Sequence, residues 1–427
     1  MYKLDGFNKP ESFLFIGSVI SVATEEKEKT NMRKMNTFKK LTSVLLAVVM
    51  VATACLLTGC GGNKNYAENN TEFVIGVSGP LTGGAAIYGT AVKNAAQMAV
   101  DEINAAGGLN GVMFKLVTTD DMHDKTKVAG NYAFLYEGGM QVSLGTVTTD
   151  PGKEFKNLSV EDNVFFLTPS ASGDEIPSNA NGYQMCFADG NQGKVAADYI
   201  NANYAGKTIG IFYKSDDSYS YGIYQQFKAN LSDSVTTVEA VFTDANTTDF
   251  STQIDTLKDC ELIFMPIYYQ PASVFMIQAK DKVVSNAIYY GCDGLDGIAS
   301  AEGFDINSIP QEVSMLSHFD SNATSGAAKT FIDKYVAKYG VDTLNQFGAS
   351  AYDCVYAIYN AMKAAYEADN SSVYVTMSAS ELCEVLKAQF NGDFSYSGVT
   401  GDNITWDDTG YVQKNAIRYV IKPADEK

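Results

Sequence analysis

The chain has 427 residues and a net charge of −19 at pH 7, with 31 Lys and Arg against 50 Asp and Glu. That acidity argues against partners with a phosphate backbone, so no nucleic acid binding is expected. The length exceeds one ordinary domain, and two are expected once the N-terminal segments are set aside.

Residues 1–31 carry a mixed-charge cluster, Glu25 to Lys29, ahead of Met32 and Met35. They read as an over-long gene start rather than as part of a fold. Arg33, Lys34, Lys39 and Lys40 then precede an apolar run from Leu41 to Leu57, the layout of a secretory signal. The run closes on Leu57-Thr58-Gly59-Cys60, which resembles the lipobox of bacterial lipoproteins. The resemblance implies cleavage after residue 59, a lipid on Cys60 and anchoring to the outer face of the cytoplasmic membrane. The alternative is an uncleaved transmembrane anchor, because about 18 apolar residues can just span a bilayer. Residues 60–70 read as a lipidated, flexible, polar tether.

Residues 1–59 hold eight of the Lys and Arg and five of the Asp and Glu, so the remainder carries 23 cations against 45 anions. Arg418 is the only arginine left, so an anionic ligand must be held by backbone N–H groups, hydroxyls or lysine. Five cysteines remain besides Cys60: Cys186, Cys260, Cys292, Cys354 and Cys383. Their odd number and wide spacing argue for free buried thiols, and no Cys-x-x-Cys suggests a metal.

The first strand is expected at Phe73–Val77, then a Gly-rich turn and a helix from about Tyr88 to Ala106. Ala91, Ala95, Met98, Ala99 and Ile103 line one face of that helix, and Gly107-Gly108 ends it. Further strands are expected at Phe114–Thr118, Gln141–Leu144, Val164–Leu167, Thr208–Phe212, Leu262–Met265 and Ala287–Tyr290, with helical stretches between nearly all of them. Apolar strands alternating with helices predict an α/β fold with parallel sheets, and the pattern restarts near Gly190 to open a second lobe. Ligands of such folds bind beyond the carboxyl ends of the strands, or between the domains.

Catalytic patterns are missing. His123 sits in an acidic turn and His318 in a connection, and neither has a nucleophile-elbow or metalloprotease context. No phosphate-binding glycine loop occurs. Neither an enzyme nor a cofactor is expected. Two strand ends do carry hydroxyls that lead into helix starts: Thr148-Thr149-Asp150-Pro151, with Asp150 or Thr149 as the cap, and Thr168-Pro169-Ser170-Ala171-Ser172. Such N-termini suit a carboxylate, although plain capping would look the same.

The segments Ile75–Gly84, Asp101–Gly111, Gly145–Thr149, Thr168–Ser172, Asp249–Gln253, Gly291–Gly294, Gly348–Asp353 and Ile404–Gly410 together resemble the branched-chain amino-acid-binding proteins. These are type I periplasmic receptors of ABC importers. The resemblance implies two Rossmann-like lobes with parallel central sheets joined by a three-crossing hinge. It places the N-lobe at 71–190 with 320–400 and the C-lobe at 191–319 with 401–427, with crossings near 189–192, 317–322 and 398–406. It assigns the ligand's carboxylate to Thr149 and Ser172, with Ser170 alongside. The ammonium falls to the Ser170 region, Ser172 and Asp293. Tyr88, Tyr221 and Tyr268 would wall the pocket, with Tyr219 and Tyr269 as further candidates. The implied partners are a small zwitterionic amino acid and a membrane permease, with the protein a monomer. The same fold could instead serve urea, an amide, a short peptide or an aromatic acid, and feed a transporter or a sensor.

Overall fold

The computed structural model describes residues 64–178 and 181–424. The signal-like segment and Cys60 lie outside the described residues. Among the described residues no helix is long and apolar enough to cross a membrane.

Strand β1 (Phe73–Gly79) is buried along its whole length, as its unbroken run of apolar and small residues requires of a central parallel strand. Beside it lie β2 (Phe114–Asp120), β3 (Val142–Ser143), β4 (Phe166–Thr168) and β5 (Gly182–Gln184), in the order β2-β1-β3-β4-β5 and all parallel. The second sheet is built from β6 (Thr208–Lys214), β7 (Thr236–Phe242), β8 (Leu262–Met265), β9 (Ile288–Gly291), β10 (Glu312–Ser317) and β11 (Ile417–Lys422). Its order is β11-β10-β9-β8-β6-β7, parallel except for β11, which runs antiparallel along β10. Two open parallel sheets with crossover helices make the α/β fold that the alternating pattern predicts.

The first sheet carries α1 (Ala86–Ala105), α2 (Lys125–Glu137) and α3 (Thr149–Asp162). The second carries α4 (Asp189–Asn203), α5 (Ser218–Asn230), α6 (Ser251–Leu257) and α7 (Tyr269–Ala279). After β10 the chain returns to the first sheet with α8 (Gly326–Tyr339), α9 (Gln346–Ala368) and α10 (Ala379–Phe390). Helix α9 packs along α1, with Gly348 set against Ala91 and small residues buried on both helices, Ala95 and Ala99 on one and Ala351 and Ala361 on the other. Asn345 starts α9 by accepting from the N–H groups of Phe347 and Gly348. Ion pairs Lys334–Glu102 (2.9 Å) and Lys338–Asp101 (2.7 Å) hold α8 on α1.

The chain therefore passes between the sheets three times: from β5 to α4, from β10 to α8, and on the way to β11. The third passage lies beyond residues 398–406, where the resemblance places it. Trp406 stacks at 4.5 Å on Phe390 and donates its indole N–H to Gln184 O, and Gly410 O accepts from Gln184 N, so this stretch stays with the first lobe. Asp353 of α9 gathers the same region by accepting from Tyr396 Oη, from the N–H groups of Val399 and Thr400, and from Thr400 Oγ1.

Residues 65–70, expected to be part of a flexible tether, are instead bound to the first lobe. Asn65 donates to Thr376 O, Asn70 donates to Gly139 O, and Ala67 is buried. Tyr66 packs edge-on against Tyr136, which explains why a polar-looking segment holds still. The five cysteines are buried free thiols.

Candidate ligand-binding cleft

The carboxyl ends of both sheets face one cleft, and its walls are built chiefly from residues just beyond strand ends. From the first lobe come Val147, Thr148 and Thr149 after β3, and Ser170 and Ser172 after β4, with Tyr88 from α1 and Phe347 from α9. From the second come Tyr219 at the start of α5, Tyr268 before α7, and Asp293 and Gly294 after β9. The space between them is ≈ 10 Å³, about one water. No lysine or arginine is among the lining residues.

Thr148, not Thr149 or Asp150, occupies the N-cap of α3 and has extended backbone. Its hydroxyl makes no capping bond and lies 2.9 Å from His123 Nδ1. Thr149 is the first helical residue, beside N–H groups that the helix itself cannot satisfy. Ser170 Oγ donates to Val147 O, which ties the β4 loop to the β3 loop. Ser172 O accepts from Asp189 N (2.9 Å), and its side chain bonds the Asp189 carboxylate. Ser172 thus joins the first lobe to the first residue of α4.

Asp293 is buried. Its Oδ1 accepts from Tyr219 Oη (2.7 Å) and its N–H donates to Gln192 Oε1 (3.0 Å), while Oδ2 is buried with no hydrogen-bond partner. Burial pushes its carboxyl up to about 7, only partly offset by the Tyr219 bond. Asp189, also buried, is pushed well above the usual carboxylate range by desolvation and then by the charge of Asp293. Asp293 thus faces the cleft and Asp189 lies beside it against Ser172, with no lysine or arginine among the lining residues.

An aromatic wall covers this subsite. Tyr268 stacks on Tyr219 at 4.6 Å and 14°, and Tyr88 meets Phe347 edge-on at 5.0 Å. Tyr88 Oη donates to Gly294 O and accepts from Tyr269 N (3.1 Å), so a first-lobe hydroxyl is bonded on both sides by the second lobe. Gln346 N donates to Asp296 Oδ2 (2.9 Å) and Lys153 Nζ to Ser218 Oγ (3.2 Å). These bonds cross between the lobes and define a closed arrangement.

The structure brings Tyr88, Thr149, Ser170, Ser172, Tyr268 and Asp293 into this cleft. Tyr221 does not reach it. It is 40% exposed and stacks on Tyr224 along the outside of α5. Two residues turn a helix by about 200°, so Tyr219 faces inward and Tyr221 outward. Tyr269 touches Tyr88 edge-on at 5.0 Å without lining the cleft. Phe347 lines the cleft, and Asp189, Gln192 and His123 back it by touching Ser172, Asp293 and Thr148, none of them marked for it by any sequence pattern. The stretch Asp189 to Gly193 signals the opening of the second lobe and nothing more. Among the described residues no group of three or more His, Cys, Asp or Glu is placed to hold a metal.

The periplasmic binding protein family model matches residues 72–420. A "Leucine-, isoleucine-, valine-, threonine-, and alanine-binding protein" of Pseudomonas aeruginosa is 28% identical over 320 residues, 73% of this chain and 83% of that protein. "Leu/Ile/Val-binding protein homolog 3" of Brucella melitensis is 26% identical over 306 residues, 70% and 81% of the two chains. Among solved structures, the branched-chain amino acid transporter substrate-binding protein LivJ of Streptococcus pneumoniae, in complex with isoleucine, superposes with a TM-score of 0.69. It is 24% identical, with 82% of this chain and 100% of that one covered. A solute-binding protein of R. palustris in complex with benzoate also reaches 0.69, at 17% identity over 83% and 94% of the two chains. The match over nearly the whole described chain and the two-sheet architecture lead to one conclusion: this chain belongs to the periplasmic binding protein family and has its type I fold.

Proposed function

We propose that the protein is an extracytoplasmic receptor that captures a small zwitterionic amino acid, branched-chain or related, and delivers it to an ABC importer permease. The observation that carries this reading is the Asp293 carboxylate, buried, with Oδ2 unpartnered and aimed where the two lobes meet. An ammonium there replaces a desolvated orphan with a charge-assisted hydrogen bond, contributing about 1.5–3 kcal/mol. Thr149 and the N–H groups at the start of α3 face the same space from the other lobe and suit the ligand's carboxylate without an arginine. The tyrosines and Phe347 supply an apolar wall for a side chain.

Entry needs the lobes apart, because the closed cleft holds little more than a water. With its carboxylate on one lobe and its ammonium on the other, the ligand favours the closed form directly. Closed, loaded protein is the form presented to the permease, while a lipid on Cys60 keeps it at the membrane as a monomer.

The aromatic lining is what favours the second reading, a benzoate-like acid. The buried Asp293, with Oδ2 unpartnered and no side-chain cation in the lining, opposes it, since a ligand with only negative charge leaves that carboxyl without a charged partner. Calorimetric titration with isoleucine and with benzoate separates the two. Binding of benzoate alone would overturn the amino-acid assignment.

A further inference from the structure

His123 reaches the cleft edge from the turn between β2 and α2, a segment that contributes nothing else to the binding residues. Met122 and His123 both have left-handed backbone, with φ of 56° and 62°, a conformation uncommon outside Gly, Asn, Asp and His and therefore strained at Met122. Their neighbours enforce it. Asp120 Oδ1 accepts from Met122 N, Asp121 Oδ1 accepts from His123 N, and Asp124 N donates to Asp121 O while its own carboxylate caps α2. Backbone strain held this firmly is a mark of functional segments.

The turn aims the imidazole across the lobe boundary. Nδ1 lies 2.9 Å from Thr148 Oγ1 on its own lobe, and the ring meets Tyr268 of the opposite lobe at 5.1 Å and 80°. Tyr268 stacks on Tyr219, whose hydroxyl bonds Asp293. We propose that His123 is a positioning residue, the first-lobe half of a latch that sets how firmly the closed lobes hold Tyr268, Tyr219 and Asp293 around a ligand. The latch rests on the reading of the cleft as the binding site.

The charged groups that face the imidazole are Asp124 of its own turn, Asp150 of α3, and Lys214 and Asp244 of the second lobe. Burial, then Lys214, holds His123 below the usual imidazole range, so it is neutral when the lobes are closed. Below about pH 6.5 closure therefore expels a proton from His123. The latch is at full strength above the ordinary imidazole value of about 6.5 and weakens as pH falls through it.

Amide hydrogen exchange across residues 266–275 reports closure without any ligand, because Tyr269 N–H is bonded to Tyr88 across the boundary. His123→Asn removes the ring while tolerating the left-handed backbone. At pH 7.5 it is expected to speed exchange in this segment and to weaken isoleucine binding, each about three- to tenfold, the scale of one aromatic edge contact. His123→Phe keeps a ring edge but cannot titrate. It is expected to stay protected at pH 7.5 and to lose less protection than the wild type on going to pH 5.5. Asp293 titrates in the same range, and comparing the two proteins removes its contribution. Wild-type exchange rates in His123→Asn, or the same acid-induced loss in His123→Phe as in the wild type, would overturn the latch. Failure of isoleucine to bind the wild type would count against the amino-acid reading alone, with the exchange rates still deciding the latch.

Discussion

Asp293 carries the largest unmet electrostatic demand among the cleft residues, with one oxygen held by Tyr219 and the other left bare. Asp293→Asn keeps the size and removes the charge. It is expected to weaken isoleucine binding by about 2–5 kcal/mol, the usual cost of breaking a buried hydrogen-bonded charge pair, measurable by calorimetry. An unchanged titration curve would take Asp293 out of the site. In the closed arrangement without a ligand, burial pushes its carboxyl up to about 7, and an ammonium against Oδ2 lowers that value. Binding is then linked to proton release. Affinity should rise with pH through about 7, level off above it, and fall by up to about tenfold per unit on acidification. A flat profile between pH 5.5 and 8 would contradict this. At this scale the sequence was readable where a residue comes just after a strand, as Thr149, Ser172 and Asp293 do. It was not readable at the start of α5, where helical phase decides between Tyr219 and Tyr221 and the exact first residue sets that phase. Asp189 and His123 escaped because each looks like an ordinary cap or turn residue until the second lobe is folded over it.

The short 3₁₀ turn Asp293–Leu295 after β9 aims the acid, and it sits where no larger residue than glycine fits. A Cβ on Gly294 would lie 2.6 Å from Tyr219 Oη and 2.8 Å from Ile267 O. Gly294→Ala is therefore expected to cost about 1–3 kcal/mol of stability by overpacking, read from urea unfolding, and to weaken ligand binding as the turn shifts. Wild-type values for both would show that the turn can relax at no cost. The central strands were legible because they are apolar runs buried on both faces. Strand β7 was not, because Thr236 to Phe242 is a half-exposed edge with Glu239 in its middle. Strand β10 hid for a related reason, its apolar residues being interrupted by Ser314. The third passage was misplaced since Trp406 and Gly410 owe their position to Phe390 and Gln184, contacts distant in sequence.

Among the described residues, the two lobes are joined by the bonds of Tyr88, Asp296 and Lys153, by those of Gln346 and Ser350 to Leu316 and His318, and by Ser172 to Asp189, with the His123–Tyr268 contact at the edge. A small ligand shifts the balance between open and closed lobes when it bonds both walls at once. The chain's acidity and its single arginine outside residues 1–59 fit a receptor that holds a zwitterion by hydroxyls, backbone N–H groups and buried carboxylates. The most direct test is a thermal-unfolding comparison of the protein with isoleucine and with benzoate at pH 7.5. Isoleucine at 100 times its dissociation constant should add about 2.7 kcal/mol of stability, a clear upward shift, while benzoate leaves the transition where it was. A shift with benzoate and none with isoleucine or any other amino acid would contradict a zwitterion site between the lobes.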